Sequence, residues 1–450
     1  MIAPWTRTRT ILGLALPIVL VLLAHSLVNV INLAMVSHLG DAAVAGVGIA
    51  NALFSMLMAV LFGIDAGVQA LVAQRVGAGQ VRLAGVVLND ALVIAGTAGL
   101  LLALLGYAAG PGLFRLVSSE PAVTAHGLAY LDAALPMLLF LGASFAFGAY
   151  RNGSGRPHYS LVVAAIQLPF SALFGYLLIF GACGLPRLET AGAGLGTALA
   201  ALVGLAVHWC LASHIAPVSG FLRTMPDWRG MRLILRIGLP VGTQQSLVYL
   251  GMMIYLSIIG RLGTAEVAAM NVVLAVVLLA TLAAAGVGTA AATLVGMALG
   301  QGDAASARRW GWEAASFGAL GILAFSLILV MAPAGALSLF IVDRTIVELA
   351  TVPLGVMAFG MSTDAYGRIL GFALRGAGAT RLVTAVAFAL QWGAQLPLAW
   401  LVGVHLGFGL PGMAISRVLL AAAETAIVTM MWRDDFWSRS RGPNGLRDAQ

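Results

Sequence analysis

Long apolar stretches recur along almost the whole chain, and this pattern constrains the fold more than any other feature. An α-helix needs about 20 predominantly apolar residues to cross the core of a bilayer. Of the 450 residues, 61% are hydrophobic and only 9% are charged, which leaves too little polar surface to cover a water-soluble globule. We therefore predict an all-α integral membrane protein.

Polar, glycine-rich and proline-rich breaks divide the chain into about twelve predicted transmembrane spans. The first six lie near 11–37, 43–74, 83–107, 121–149, 158–181 and 192–215. The second six lie near 233–260, 265–298, 305–332, 347–374, 382–404 and 409–432. The predicted organisation is a cytoplasmic N-terminus (1–10), an N-lobe (11–215), a cytoplasmic linker (216–232), a C-lobe (233–432) and a cytoplasmic tail (433–450).

The positions of the arginines predict the orientation in the membrane. All 24 basic residues are arginines, and most fall in segments that share one side of the bilayer if the N-terminus is cytoplasmic. The opposite side then holds only Arg115, Arg187, Arg261 and Arg344. This asymmetry predicts cytoplasmic termini in the inner membrane, and it explains the net charge of +7 without nucleic acid. The absence of lysine also excludes a phosphate-binding loop of the nucleotide-hydrolysing kind.

The two halves of the chain repeat each other in sequence. Leu16-Pro17 recurs as Leu239-Pro240, and Leu39-Gly40 recurs as Leu262-Gly263 at the same displacement. The same displacement relates Leu71-Val72, Gly77, Gly79 and Gly153-Ser154-Gly155 to Leu294-Val295, Gly300, Gly302 and Gly376-Ala377-Gly378. A constant displacement over so many matches indicates two parallel lobes of six helices, an arrangement used by secondary transporters. Pro17 and Pro240 are expected to bend the first helix of each lobe.

Several of these motifs carry a family resemblance. They are Ala15-Leu16-Pro17 followed by Asn29, Asn32 and His38-Leu39-Gly40; Leu71-Val72-Ala73-Gln74 before Gly77-Ala78-Gly79; Gly238-Leu239-Pro240; and Leu374-Arg375-Gly376-Ala377-Gly378. Over about residues 10 to 432 the chain resembles the multidrug and toxic compound extrusion (MATE) family of efflux antiporters. The resemblance implies export of an organic, often cationic, solute in exchange for protons or sodium ions, with acidic groups inside the two lobes.

Asp364 is the first candidate for such an acidic group. It precedes the inner end of its span by ten residues, about 15 Å at 1.5 Å per residue, and therefore lies near the middle of the membrane. A carboxylate at this depth is a functional candidate. Arg368 follows four residues later, so Asp364 either binds a coupling ion or cationic solute or forms a salt bridge. Both roles can coexist if an incoming cation displaces the arginine.

Asp65 is the second candidate, again about half-way through its span. Gly63 and Gly67 flank it and predict a local helix bend that would admit water and neighbouring backbone. The alternatives are proton carriage and a structural hydrogen bond to a neighbouring helix.

Asn32 departs from the family pattern, since many relatives have an acidic residue at this place in the first helix. The fifth span is equally uncharged, with Gln167, Ser171 and Gly175. An amide cannot titrate, and a sodium site needs several oxygen ligands, preferably charged. The usual site of the first lobe is thus missing or rebuilt around Asp65, which favours protons over sodium.

The remaining intramembrane polar groups are less specific. Gln244, Gln245 and Tyr255 are expected to contribute to the second lobe through interhelical hydrogen bonds, or in the case of tyrosine by cation–π attraction. His25 either titrates or bonds to a neighbouring helix, and Glu424 is a further candidate. Solvated or snorkelling side chains are expected at Asp90, Asp132 and Glu313, which lie nearer helix ends.

The expected partners are organic cations, protons or sodium ions, and membrane lipids, and we predict a monomer. No metal or other cofactor and no enzymatic activity are predicted. A flippase for lipid-linked saccharides is the nearest alternative, although most arginines lie outside the spans. A membrane sensor or enzyme would need a catalytic constellation that the sequence does not provide.

Overall fold

A computed structural model describes residues 4–212, 220–338 and 343–434, and these residues are almost entirely helical. The first part of the predicted linker (216–219) and the tail beyond residue 434 lie outside the described residues. The described part contains no β-strand.

The first sequence repeat forms seven helices. They are α1 (Pro4–Val36), α2 (Asp41–Gly77), α3 (Val81–Val117), α4 (Pro121–Ala134), α5 (Met137–Gly153), α6 (His158–Phe180) and α7 (Glu189–Ala212). The second repeat begins with α8 (Trp228–Gly260), α9 (Thr264–Gly300), α10 (Ala304–Met331), the short α11 (Pro333–Ser338) and α12 (Arg344–Gly376). It continues with α13 (Thr380–Leu390), α14 (Leu396–Leu398) and α15 (Gly409–Arg433).

These helices account for the predicted spans. Ten helical segments of the described chain are long and apolar enough to cross a membrane, including Thr380–His405, in which α13 and α14 are joined by π-helical turns. Helices α4 and α5, which meet at an angle of 48°, are together long and apolar enough to count as one further bent span. The bend contains Pro136, which cannot donate a backbone hydrogen bond. Helix α8 has 33 residues and carries arginines and glutamines that lower its hydropathy. With α8 included, the predicted all-α membrane fold of about twelve spans is confirmed.

The sequence repeat is also visible in the backbone. Left-handed glycines recur at equivalent turns, with φ of 103° and 153° at Gly40 and Gly263 and of 74° and 79° at Gly79 and Gly302. Only glycine adopts such angles without steric cost, which explains why these residues recur in both halves. The turns before α2 and α9 therefore correspond to each other, and so do the turns before α3 and α10.

The chain forms two compact units that differ from the predicted lobes. We call them the N-unit (Leu20–Ser246) and the C-unit (Met1–Val19 with Leu247–Gln450). The divisions fall inside α1 and α8, so the first part of each helix belongs with the helices of the other repeat. Helix α8 begins at Trp228, within the segment predicted as the end of the linker. Pro17 and Pro240 lie within α1 and α8, and the bends expected there remain predictions.

Small residues let helices approach closely in the N-unit. Gly63 of α2 faces Gly238 of α8, and a Cβ at either position would collide with the carbonyl oxygen of the other. A Cβ at Gly67 would meet the Ile234 carbonyl oxygen at 2.7 Å. The Ser246 hydroxyl donates to the Met56 carbonyl at 3.1 Å. Backbone approach of this kind is typical of helix pairs in membranes, where apolar burial alone does not drive association.

Candidate functional site

Asp364 and Arg368 form an ion pair on α12. Arg368 Nε lies 2.6 Å from Asp364 Oδ2, as the spacing of four residues predicts. The side chains are 21% exposed for the aspartate and 37% for the arginine, so both are partly shielded from the surroundings. Gly367 and Gly376 of α12 allow α15 and α9 to approach closely, and α10 also packs against α12, so this packing fixes the helix that carries the pair.

The pair borders a small cavity between α9 and α12. The lining residues are Val277, Ala280, Thr281, Ala284, Met361, Asp364, Ala365 and Arg368. The cavity volume is about 10 Å³, which is room for about one water molecule. In this conformation the cavity is too small for an organic solute.

Further charges of the C-unit surround the pair. Asp364 also interacts electrostatically with Arg417 of α15, and Arg368 interacts with Glu424. Glu424 interacts in addition with Arg375 near the end of α12. The carboxylates of Asp364 and Glu424 thus interact with three guanidinium groups within the spans, those of Arg368, Arg375 and Arg417. Sequence reasoning found the two acids but did not connect them, because residues on different helices meet only through packing.

Tyr255 contributes a buried hydroxyl to the C-unit. The side chain is 3% exposed, its Oη has no hydrogen-bond partner among the described residues, and it interacts electrostatically with Arg417. Gln244 and Gln245, expected beside it in the second lobe, belong instead to the N-unit, because α8 is divided after Ser246. Gln244 is buried there and Gln245 is partly buried.

Asp65 lies in the N-unit and is partly buried. Within the described ranges it forms no hydrogen bond or ion pair. Helix α2 runs unbroken from Asp41 to Gly77, and the local bend expected at Asp65 remains a prediction. Gly63 and Gly67 pack closely on α8, and at 100° per residue Asp65 lies on the opposite face of α2.

Asn32 belongs to an uncharged polar cluster of the N-unit. Its Nδ2 donates to Thr197 Oγ1 at 3.0 Å, while its Oδ1 is buried without a partner in the part of the chain described. Gly175 of α6 lies beside this oxygen, and Ser171, one turn earlier, also has a buried oxygen without a partner there. The cluster contains oxygen atoms but no charge.

The other ionisable residues singled out in the sequence differ in their exposure and contacts. His25 is exposed, and so is Asp132, as expected for a solvated group. The expectation of a solvated side chain is wrong for Asp90, which is 1% exposed, while Glu313 is 40% exposed and also forms an ion pair with Arg7. No group of three histidine, cysteine, aspartate or glutamate side chains converges as a metal site among the residues that were described.

Long apolar helices, a repeated half and charged groups within the spans define a multi-pass membrane transporter of the internal-repeat class. The family model MatE matches residues 17–177 and 240–401, one segment in each repeat. The chain belongs to this family of multidrug efflux transporters, and the resemblance inferred from the sequence motifs is confirmed.

Individual relatives agree with this assignment. The chain is 30% identical to a probable multidrug resistance protein NorM of Pseudomonas putida, covering 99% of this chain and 98% of the relative. The crystal structure of a mutant of the Vibrio cholerae MATE transporter VcmN has a TM-score of 0.89 at 17% identity and covers 98% of both chains. A transporter of the MOP superfamily from Pyrococcus furiosus gives 0.89 at 17% identity over 97% of both chains. The two structures share the fold.

Proposed function

We propose that the protein is a secondary active antiporter that exports organic, mainly cationic, solutes in exchange for protons entering the cell. Sodium is the alternative coupling ion. In this proposal both termini are cytoplasmic, as the arginine asymmetry favours. Asp364 and Asp65 are the groups that exchange ion for solute.

The observation that carries the proposal is the Asp364–Arg368 pair at a small cavity inside the C-unit. A carboxylate in a low-dielectric span is retained only with a cationic or protonic partner. Arg368 supplies that partner from the same helix while no ion or solute is bound. Asp364 can then exchange Arg368 for the solute, and the solute for a proton, without becoming an unpaired buried charge.

Competition for one carboxylate couples the two fluxes. Two cations cannot share a single desolvated carboxylate cheaply, so binding of a proton favours release of the solute. Because thermodynamic coupling is reciprocal, binding of the solute favours release of the proton by the same factor. Because both bind the same carboxylate, exchange does not require a separate ion-binding site that is coupled to the solute site.

The choice of protons over sodium is supported by the N-unit. Its Asn32 cluster has oxygen ligands but no carboxylate, and Asp65 has no second acidic group bonded to it in the described residues. A sodium site would need several coordinating oxygens around a charge. A lone aspartate can instead bind a single proton.

The proposal can be tested in proteoliposomes that contain purified protein and a fluorescent organic cation such as ethidium. A proton gradient and a sodium gradient are imposed separately, and dye transport is recorded for the wild type, D364N and D65N. The matched controls are E348Q and D41N, which neutralise exposed carboxylates on the same helices, α12 and α2.

We expect proton-driven transport in the wild type and in both controls, with a loss of at least about tenfold in D364N and D65N. Wild-type rates in D364N and D65N, at equal reconstitution, would contradict the site assignment. Transport driven by sodium alone would reverse the choice of ion, and lipid translocation without a gradient would favour a flippase.

A further inference from the structure

Two acidic residues that the exchange mechanism does not use occupy equivalent positions in the repeat. The displacement that relates Gly79 to Gly302 also relates Asp90 of α3 to Glu313 of α10. It likewise relates Arg7 of α1 to Gly230 of α8. Each acid contacts the first helix of the other repeat, and each contact lies within one compact unit.

In the C-unit, Glu313 holds the beginning of α1. Arg7 Nη1 donates to Glu313 Oε1 at 2.8 Å. The guanidinium group of the buried Arg7 also lies 5.1 Å from the ring centroid of Trp310, one turn before Glu313. A charge-assisted hydrogen bond combined with a cation–π contact is stronger than either alone. Both interactions attach α1 to α10.

In the N-unit, Asp90 holds the beginning of α8 in a different way. The backbone N–H of Asp227, immediately before α8, donates to Asp90 Oδ1 at 2.9 Å. Gly230 lies directly against the other carboxylate oxygen, and a Cβ at this position would collide with it. The first N–H groups of a helix lack partners within the helix and carry partial positive charge. Asp90 therefore binds the start of α8 as a capping carboxylate supplied by another helix.

Asn89 extends this attachment into the segment before α8. Its Oδ1 accepts the Leu222 N–H at 3.1 Å. Its Nδ2 lies within hydrogen-bond distance of the carbonyl oxygens of Gly220, at 3.2 Å, and Thr224, at 3.1 Å. The described part of the inter-repeat linker is thus fixed to α3.

The two contacts join equivalent pairs of helices but differ in chemistry. Where the first helix supplies arginine, the acid is the longer glutamate and the contact joins two side chains. Where it supplies glycine, the acid is the shorter aspartate and reaches the backbone directly. Different residue types preserve the same connection between a third helix and the opposite first helix, so the connection itself is the common feature.

We propose that Asp90 and Glu313 are positioning residues that keep the first part of α8 and of α1 attached to the N-unit and the C-unit throughout the transport cycle. Conformational change in these two helices then occurs beyond Ser246 and Val19, where the division into units falls. The proposal depends on transport activity and not on the role of Asp364.

A reversible cross-link at Asp90 tests whether its contact persists. A Cβ at position 230 would lie 3.0 Å from Asp90 Cγ. In D90C the sulfur of residue 90 would occupy about the place of Asp90 Cγ. Given an S–S bond of about 2.04 Å, a Cβ in a disulfide lies at about this distance from the sulfur of the other cysteine. The variant D90C/G230C is made with C183S and C210S, because both native cysteines are exposed and neither is in a disulfide.

We expect the reduced D90C/G230C variant to transport at least about threefold more slowly than its cysteine-free background, since the attachment is lost. Oxidation should restore the rate. The proposal is overturned if the reduced form is fully active, if oxidation stops or fails to restore transport, or if no disulfide forms.

A charge exchange tests the equivalent contact in the C-unit without cysteine chemistry. R7E and E313R should each slow transport by at least about threefold, while R7E/E313R should recover most of it. The control is R9E, which reverses an exposed charge two residues from Arg7 and should leave the rate unchanged.

Affinity separates positioning from solute binding. Ethidium should bind R7E and E313R within about twofold of wild-type affinity, measured on protein with a wild-type melting profile. Loss of affinity in proportion to rate would contradict the proposal, as would failure of the double variant to recover. If D364N proved fully active while oxidation and charge exchange restored transport, only the coupling assignment would fail.

Discussion

Arg368 Nε lies 2.6 Å from Asp364 Oδ2, one turn away on the same membrane-spanning helix. The carboxylate thus has a cation of its own that cannot diffuse away. Any ion or solute that binds Asp364 must compete with a tethered partner, and this competition can release the bound cation again. An intrahelical pair of this kind makes the site reversible, which a transporter requires.

Removal of the tethered cation should strengthen solute binding and slow turnover. In R368Q the carboxylate has lost a charge-assisted hydrogen bond, a contact worth about 1.5–3 kcal/mol. We expect the KM for an organic cation to fall by about tenfold and kcat to fall by a similar factor, because release becomes slow. Initial rates over a range of dye concentrations measure both parameters. An unchanged KM would exclude competition by Arg368.

Within the N-unit, Asp65 should be essential for transport and Asn32 should not. N32A removes the 3.0 Å hydrogen bond to Thr197 but no titratable group. We expect proton-driven transport within about threefold of wild type for N32A and a loss of at least about tenfold for D65N. Proteoliposome flux under a proton gradient measures both. The reverse order of severity would place the active group of this unit at Asn32.

Tyr255 should show opposite effects on stability and activity. Its buried Oη has no hydrogen-bond partner among the described residues, and an unsatisfied polar group of this kind costs about 1–3 kcal/mol. Y255F should therefore melt at or above the wild-type temperature. Transport should decrease, because we expect this hydroxyl to find its partner when solute or ion is bound. A lower melting temperature with unchanged transport would assign the hydroxyl a purely structural role.

The contact between α2 and α8 should tolerate no side chain at Gly238. A Cβ there would collide with the Gly63 carbonyl, and overpacking of this kind costs about 1–3 kcal/mol. G238A should lower the melting temperature in detergent. The matched control is G48A, on the exposed face of α2 with no atom within 4 Å of the new Cβ, which should stabilise the helix slightly. Equal melting temperatures for the two variants would argue against close packing.

The fold could be predicted from the sequence because its determinants are local or periodic. Apolar length sets the spans, and a constant displacement between motifs reveals the repeat. The Asp364–Arg368 pair was predictable for the same reason, since four residues make one turn of helix.

The division into units could not be predicted in this way. The compact unit to which the first part of α1 or α8 belongs depends on contacts with residues far away in the chain. Asp90 and Glu313 were expected to be solvated because depth along a helix was the only information available. Their partners are far away in the chain, since Asp227 lies immediately before α8 and Arg7 lies in α1.

Glycines are a second feature whose role could not be read from the sequence. Gly63 and Gly67 predicted a bend at Asp65, since glycine weakens a helix. In the structure both glycines let the backbone of α8 approach closely. Sequence alone does not distinguish a glycine that bends a helix from one that lets a second helix approach.

The central claim is that protons and organic cations compete for Asp364. The most direct measurement is the affinity of purified protein for a fluorescent cation as a function of pH, compared between the wild type and D364N. We expect the affinity of the wild type to fall toward acidic pH by up to about tenfold per pH unit, and that of D364N to be independent of pH. The same pH dependence in D364N, or none in the wild type, would contradict the claim.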